Sequence, residues 1–171
     1  MNAPQTHDAS RRLGPGEYWF EDVAVGDHYD TGHIVVTESH IVGFAGLSGD
    51  LFDVHMDDEF ARAQGFPARI AHGLLGLAMA DGLKNRSSVR IMAVASLGWN
   101  WNFKGAIIAG DRIGVHVAVK AKRLTSKGDR GILTLGFTVR NQRGEIVQDG
   151  ETALLTRLRP TDLDSKQLAA G

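Results

Sequence analysis

The residues best suited to chemistry lie close together in Ser48-Gly-Asp-Leu-Phe-Asp-Val-His-Met-Asp-Asp58. Asp50 and His55 stand five positions apart between two segments with helical spacing. In a turn-rich loop both side chains can reach one water, the carboxylate and the imidazole dividing acid and base duties. The same spacing also fits a plainer role, with Asp50 closing a turn after Gly49 and His55 preceding a helix cap. The second feature is Ile70-Ala-His-Gly-Leu-Leu75, where His72 and Gly73 fall at the start of an apolar helix. Unpaired N–H groups at a helix start, with the positive end of the dipole, suit an oxyanion or a polarised carbonyl. Gly73 would let a ligand approach the backbone closely. Equally, His72 can cap its own helix while Gly73 relieves crowding.

Other chemistries are less well supplied. Asp50, Asp53, His55, Asp57 and Asp58 crowd together, but the glycine and closing glutamate of a calcium loop are missing. A His-Glu-x-x-His helix is missing too, so no metal is expected. The chain has no cysteine, which removes thiolate zinc sites, disulfides and cysteine nucleophiles and fits a reducing cytoplasm. Neither a phosphate-binding Gly-rich loop nor a Gly-x-Ser-x-Gly elbow occurs. Lys104, Lys120, Lys122 and Arg123 could meet phosphate groups or simply form a solvated edge. His28, His33, His40 and His116 show no common face and read as surface or structural residues. The net charge of −1 gives no basic face for nucleic acid. No apolar run reaches the roughly 18 residues of a membrane span, and the polar start lacks a signal-peptide core.

The elements that must position these groups are legible in outline. With 171 residues, 43% of them hydrophobic and 23% charged, the chain suits one globular domain. Residues 1–16 and 160–171 read as flexible tails flanking a domain over 17–159. Ile113, Val115, Val117 and Val119 alternate, as do Leu133, Leu135, Phe137 and Val139; the period of 2 makes each set one face of a strand. Further strands are expected over Glu145–Leu158, over Ile91–Phe103 with Trp99, Trp101 and Phe103 on one face, and from about His28 to Val36. Helices are expected after Thr37, after Asp57, and over Ala71–Leu83, the last apolar on nearly all sides and therefore buried. The element order predicts an α+β hot-dog domain: a curved antiparallel sheet of about five strands wrapped around a central buried helix, with an overhanging helical segment that carries the Asp50–His55 loop.

Ser48-Gly-Asp50, His55, Ala61-x-x-x-Gly65-Phe66 and Ile70-Ala-His-Gly-Leu74, taken together, resemble the MaoC-like family, which includes the (R)-specific enoyl-CoA hydratases. Trp101-Asn-Phe-Lys-Gly-Ala-Ile-Ile-Ala-Gly-Asp111 is similar to that family's strand leading into a Gly-Asp turn. The resemblance runs from about Tyr18 to Arg159. It implies a lyase acting on an acyl-CoA thioester, with Asp50 and His55 activating water and the Gly73 N–H receiving the thioester oxygen. It implies no metal or redox cofactor, because CoA enters as part of the substrate. It also implies a homodimer or larger even oligomer. This sequence departs from the family's Asn-Pro, placing Phe52-Asp53 there. Phe52 cannot supply the hydrogen bonds of asparagine and could reshape the acyl pocket, and Asp53 adds a charge near Asp50 that matters if both are buried. Acyl-CoA thioester hydrolysis and a non-catalytic acyl-CoA-binding subunit are the alternative readings.

Overall fold

The computed structural model describes residues 10–160. In chain order the elements are β1 (Gly16–Tyr18), β2 (His28–Val35), α1 (Glu38–Ser48), α2 (Asp53–Met56), α3 (Asp58–Ala63), α4 (Gly73–Asn85), β3 (Val89–Ile91), β4 (Ala93–Phe103), β5 (Arg112–Leu124), β6 (Gly131–Arg140) and β7 (Ile146–Thr156). Five strands form one antiparallel sheet in the order β2-β5-β6-β7-β4. The expected hot-dog arrangement is the one found. Its cause is the alternation in the sequence. All four apolar residues of the β5 set and all four of the β6 set are buried, in one core with Leu75, Ala80 and Leu83 of α4. Burying each such side chain contributes about 1.5–3 kcal/mol. Trp99 and Trp101 of β4 pack edge-on against Phe137, at 5.2 and 5.7 Å between ring centroids.

Local signals bracket the loop. The Thr37 hydroxyl accepts from the His40 N–H at 3.3 Å and His40 Nδ1 accepts from the Thr37 N–H at 3.0 Å, so His40 completes the start of α1. Gly49, at φ +78°, ends α1 in the left-handed region and turns the chain into Asp50. Asp57 caps α3, accepting from the N–H groups of Glu59 and Phe60. The Gly-Asp turn before β5 is held by the buried Asp111 carboxylate, which accepts from the Ile108 N–H, Gln142 and Arg143.

Several expectations need correction. Residues 10–16 are not a loose tail: Leu13 is buried, its N–H donates to His28 O at 2.8 Å, and Arg11 clamps Asp27 through two nitrogens. Residues 1–9 and 161–171 lie outside the described residues. β1 and β3 make a short parallel pair that three-residue segments could not announce. α4 is not covered all round, since Leu74 (60% exposed), Ala78 and Gly82 form a bare stripe at i, i+4 spacing. Finally, histidines do share a face. Pairing of β2 with β5 sets the His28 and His116 rings 5.3 Å apart, with Asp30 2.9 Å from His116 Nδ1. Lys122 is no ligand contact either, because it donates to the Phe20 and Val23 carbonyls and sits 4.3 Å over the Phe20 ring. Among the described residues no helix is long and apolar enough to cross a membrane.

The clamp on Asp27 has a consequence for acid stability. Burial presses this carboxyl upward, but hydrogen bonds from Arg11 and the Ala24 N–H outweigh it and leave it below its ordinary value. A carboxyl lowered by folding stabilises the fold above the ordinary carboxylate range near about pH 4 and loses that contribution as pH falls through its folded value. Thermal melting at a series of pH values is therefore expected to show Tm dropping below about pH 4, with a shallower acid slope in Asp27→Asn. An identical slope in the variant would remove Asp27 from the account.

Candidate active site

The loop between α1 and α3 and the start of α4 meet, as the sequence places them. One side-chain nitrogen or oxygen from each of Asp50, His55 and His72 lies within 4.8 Å of the others. The His55 and His72 rings stack at 3.8 Å with 27° between planes, and the Phe44 ring centroid lies 5.1 Å from that of His72. His55 Nδ1 is 2.8 Å from Ile70 O. A carbonyl only accepts, so Nδ1 carries the hydrogen and neutral His55 keeps a bare Nε2. His72 Nε2 likewise donates to Asp50 O at 2.9 Å, which leaves its buried Nδ1 without a partner.

Each position follows from local structure. Asp50 is exposed; its amide is held by Ser48 Oγ, and its Oδ1 accepts from the Phe52 N–H at 3.3 Å. The turn-closing role is thus real and leaves the rest of the carboxylate free. His55 rides on α2, whose register is set by Val54 O receiving the Ile70 N–H. Ala71 N–H donates to Ile107 O at 2.7 Å, fixing the approach to α4 against the segment before β5. At the start of α4 the Gly73 and Leu74 N–H groups have no acceptor among the described residues.

Beside these groups runs a cleft of about 340 Å³ lined by His55, Phe66, Ile70, Gly73, Phe103 and Gln148, among others. It is the mostly apolar depression that touches the chemistry. A larger one, of about 640 Å³, lies on the outer sheet face near His33, Arg112, His116 and Arg140, away from Asp50 and His55. Asp50 lies at the edge of the site outside that lining, as do its neighbours Phe52 and Asp53, named above at the acyl pocket and near Asp50. Phe52 is 58% exposed and stands edge-on to Phe60 and His55, and Asp53 is exposed. With neither Asp50 nor Asp53 buried, water screens the two charges from each other. His72, also expected at the substrate, is 3% exposed behind His55. Gln148 was not anticipated at all.

The trio is poorly shaped for an ion. Imidazole lone pairs lie in the ring plane, so two near-parallel stacked rings direct them side by side, whereas ligation needs them to converge. A His55 ring with a bare Nε2, one of whose nitrogens lies within 4.8 Å of a carboxylate oxygen, instead suits proton transfer to and from a water.

The model of the family described as MaoC like domain matches residues 21–141. The chain belongs to the MaoC-like dehydratase family. This MaoC-like chain is 37% identical over 112 residues to Protein MaoC of Klebsiella aerogenes, a match covering 65% of the chain and 33% of that protein. The chain thus spans about a third of that relative's length. It is 30% identical over 133 residues to 3-hydroxybutyryl-CoA dehydratase of Methylorubrum extorquens, covering 78% of the chain and 80% of the relative. Among solved structures, the MaoC-like dehydratase from Rhodospirillum rubrum superimposes with a TM-score of 0.78 at 29% identity, covering 84% of this chain and 99% of that one.

Proposed function

We propose that this MaoC-like chain catalyses the reversible hydration of a 2-enoyl-CoA to a 3-hydroxyacyl-CoA. The observation that carries the reading is the convergence of Asp50 and His55 beside the unpaired Gly73 N–H. Kinship with a protein named 3-hydroxybutyryl-CoA dehydratase supports the same chemistry. In the forward direction the bare Nε2 of His55 takes a proton from water, while the acceptor-only carboxylate of Asp50 holds the water's other hydrogen. The hydroxyl adds to Cβ and the double-bond electrons move onto the thioester oxygen. The Gly73 N–H, at the positive end of α4, receives that charge without reorganising. The protonated imidazole then returns its proton to Cα, so water is consumed with nothing left over. His72 does not meet substrate in this scheme; it holds His55 by stacking and Asp50 through its carbonyl. No metal or redox cofactor is required, and CoA is part of the substrate.

The test is a panel of 2-enoyl-CoAs differing in acyl length, branching and terminal carboxylation, followed by loss of the conjugated thioester absorbance and by assay of free thiol. Absorbance loss without free thiol is expected. Release of free CoA instead would favour a thioesterase, and binding without turnover would favour a non-catalytic subunit.

A homodimer goes with this reading. The bare Leu74, Ala78 and Gly82 stripe and the edge strand β4, with Val94 and Leu97 exposed, are surfaces a second copy would cover. Sedimentation equilibrium is expected to give twice the 18.5 kDa chain mass, and Leu97→Arg to lower it toward one chain. A fully active monomer would contradict this.

A further inference from the structure

Gln148 is 2% exposed on β7, and its amide joins two groups that cannot satisfy each other. Trp101 Nε1–H donates to Gln148 Oε1 at 3.0 Å, and Gln148 Nε2 donates to Gly73 O at 3.0 Å. The indole N–H only donates and the carbonyl only accepts. The residue between them must therefore accept on one side and donate on the other, which an amide does and an ionised carboxylate or an alkyl chain does not. The same requirement fixes which end of the amide faces which partner.

The first turn of α4 is built around this contact. A Cβ at Gly76 would lie 2.3 Å from Gln148 Nε2, so the amide occupies the space a side chain there would need. A Cβ at Gly73 would lie 2.6 Å from the Phe103 ring, and Phe103 is paired with Gln148 across β4 and β7. Gly73 and Gly76 thus present one helix face directly to the sheet. Gly73 has no side chain of its own to hold its peptide planes, yet an oxyanion donor is effective only when it is already aimed.

We infer that Gln148, anchored by Trp101, is a positioning residue that fixes the Gly73–Leu74 peptide through Gly73 O and so holds the turn that carries the oxyanion-binding Gly73 N–H. This rests on the hydratase reading of the site. Neither side chain acts on the reacting atoms; both act through the Gly73 backbone.

The 171-residue chain is compared with Trp101→Phe, which keeps ring packing and loses the N–H, and with Gln148→Glu. Folding is checked by circular dichroism. The readouts are kcat and KM for but-2-enoyl-CoA across pH, and the backbone amide resonances of Gly73 and Leu74. Trp101→Phe is expected to lower kcat about tenfold with KM within about twofold, and to shift both amides. In Gln148→Glu the protonated acid can replace the amide, donating to Gly73 O, whereas the carboxylate repels it. Relative to the wild type at the same pH, kcat is then nearest normal at the acid end and falls about tenfold or more as the new carboxyl ionises. Normalising to the wild type matters because His55 and Lys104 line the same cleft and Asp149 is the next residue on β7. Folded variants with unchanged kcat and unmoved Gly73 and Leu74 amides would overturn the positioning role while leaving the hydratase reading intact. A lowered melting temperature with unchanged kcat would overturn it too, as a structural contact only. A wild type that hydrates no enoyl-CoA would overturn both the hydratase reading and the catalytic purpose assigned to the tie, even if the amides still moved.

Discussion

Asp50→Asn and His55→Ala are each expected to lower kcat for enoyl-CoA hydration by about 10²–10⁴-fold, the range that positioned acid–base groups contribute. Asp50→Asn is the cleaner of the two. Asp50 is exposed, and its side chain bonds only the Phe52 N–H, which the asparagine carbonyl can still receive. The fold is then kept and only the ionised acceptor for water is lost. His55→Ala removes the proton carrier together with the bond to Ile70 O and the stack on His72, so some loss of melting temperature accompanies it. Two groups that serve one water, as proposed for Asp50 and His55, act as a unit, so the double variant is expected to be about as slow as the worse single variant. Fully multiplicative losses would mean that they act in separate steps.

His72→Ala is expected to act on both stability and rate. The ring is buried between Phe44 and His55 and donates to Asp50 O, so its removal opens a cavity and frees the loop carbonyl. A cost of about 2–4 kcal/mol follows for a large-to-small change at such a site. The proposed catalytic pair loses the wall that aligns it, and kcat is expected to fall about ten- to a hundredfold with KM little changed. His72→Gln, whose amide can reach the same carbonyl, is expected to recover part of the rate. Denaturant unfolding alongside steady-state kinetics measures both effects. A folded His72→Ala variant with unaltered kcat would make the ring a filler of space and nothing more.

The fold was legible where a single period governs many residues. The alternation of Ile113 to Val119 and of Leu133 to Val139 places two strands, and both sets are buried as read. The loop was legible because Asp50 and His55 are chemically distinctive and stand between recognisable helix caps at Thr37 and Asp57. Features made by long-range register were not. His28 and His116 share a face only because β2 pairs with β5. Gln148 looks like one polar residue in a strand until Trp101, 47 positions away, is laid beside it. Phe52 and Asp53, next to Asp50 in the sequence, are both exposed and outside the cleft lining, a placement set by the turn into α2 that spacing alone does not give. The bare stripe on α4 is invisible to hydropathy, which registers apolar character without saying which chain covers it.

The central claim is that Asp50 and His55 add the elements of water across an enoyl thioester. Its most direct test is the reaction of but-2-enoyl-CoA in D₂O, with the product read by mass spectrometry and proton NMR. A 3-hydroxyacyl-CoA carrying one deuterium on Cα is expected, formed by the wild type and nearly absent with Asp50→Asn or His55→Ala. Unchanged substrate, free CoA, or equal deuterated product from the wild type and both variants would contradict it.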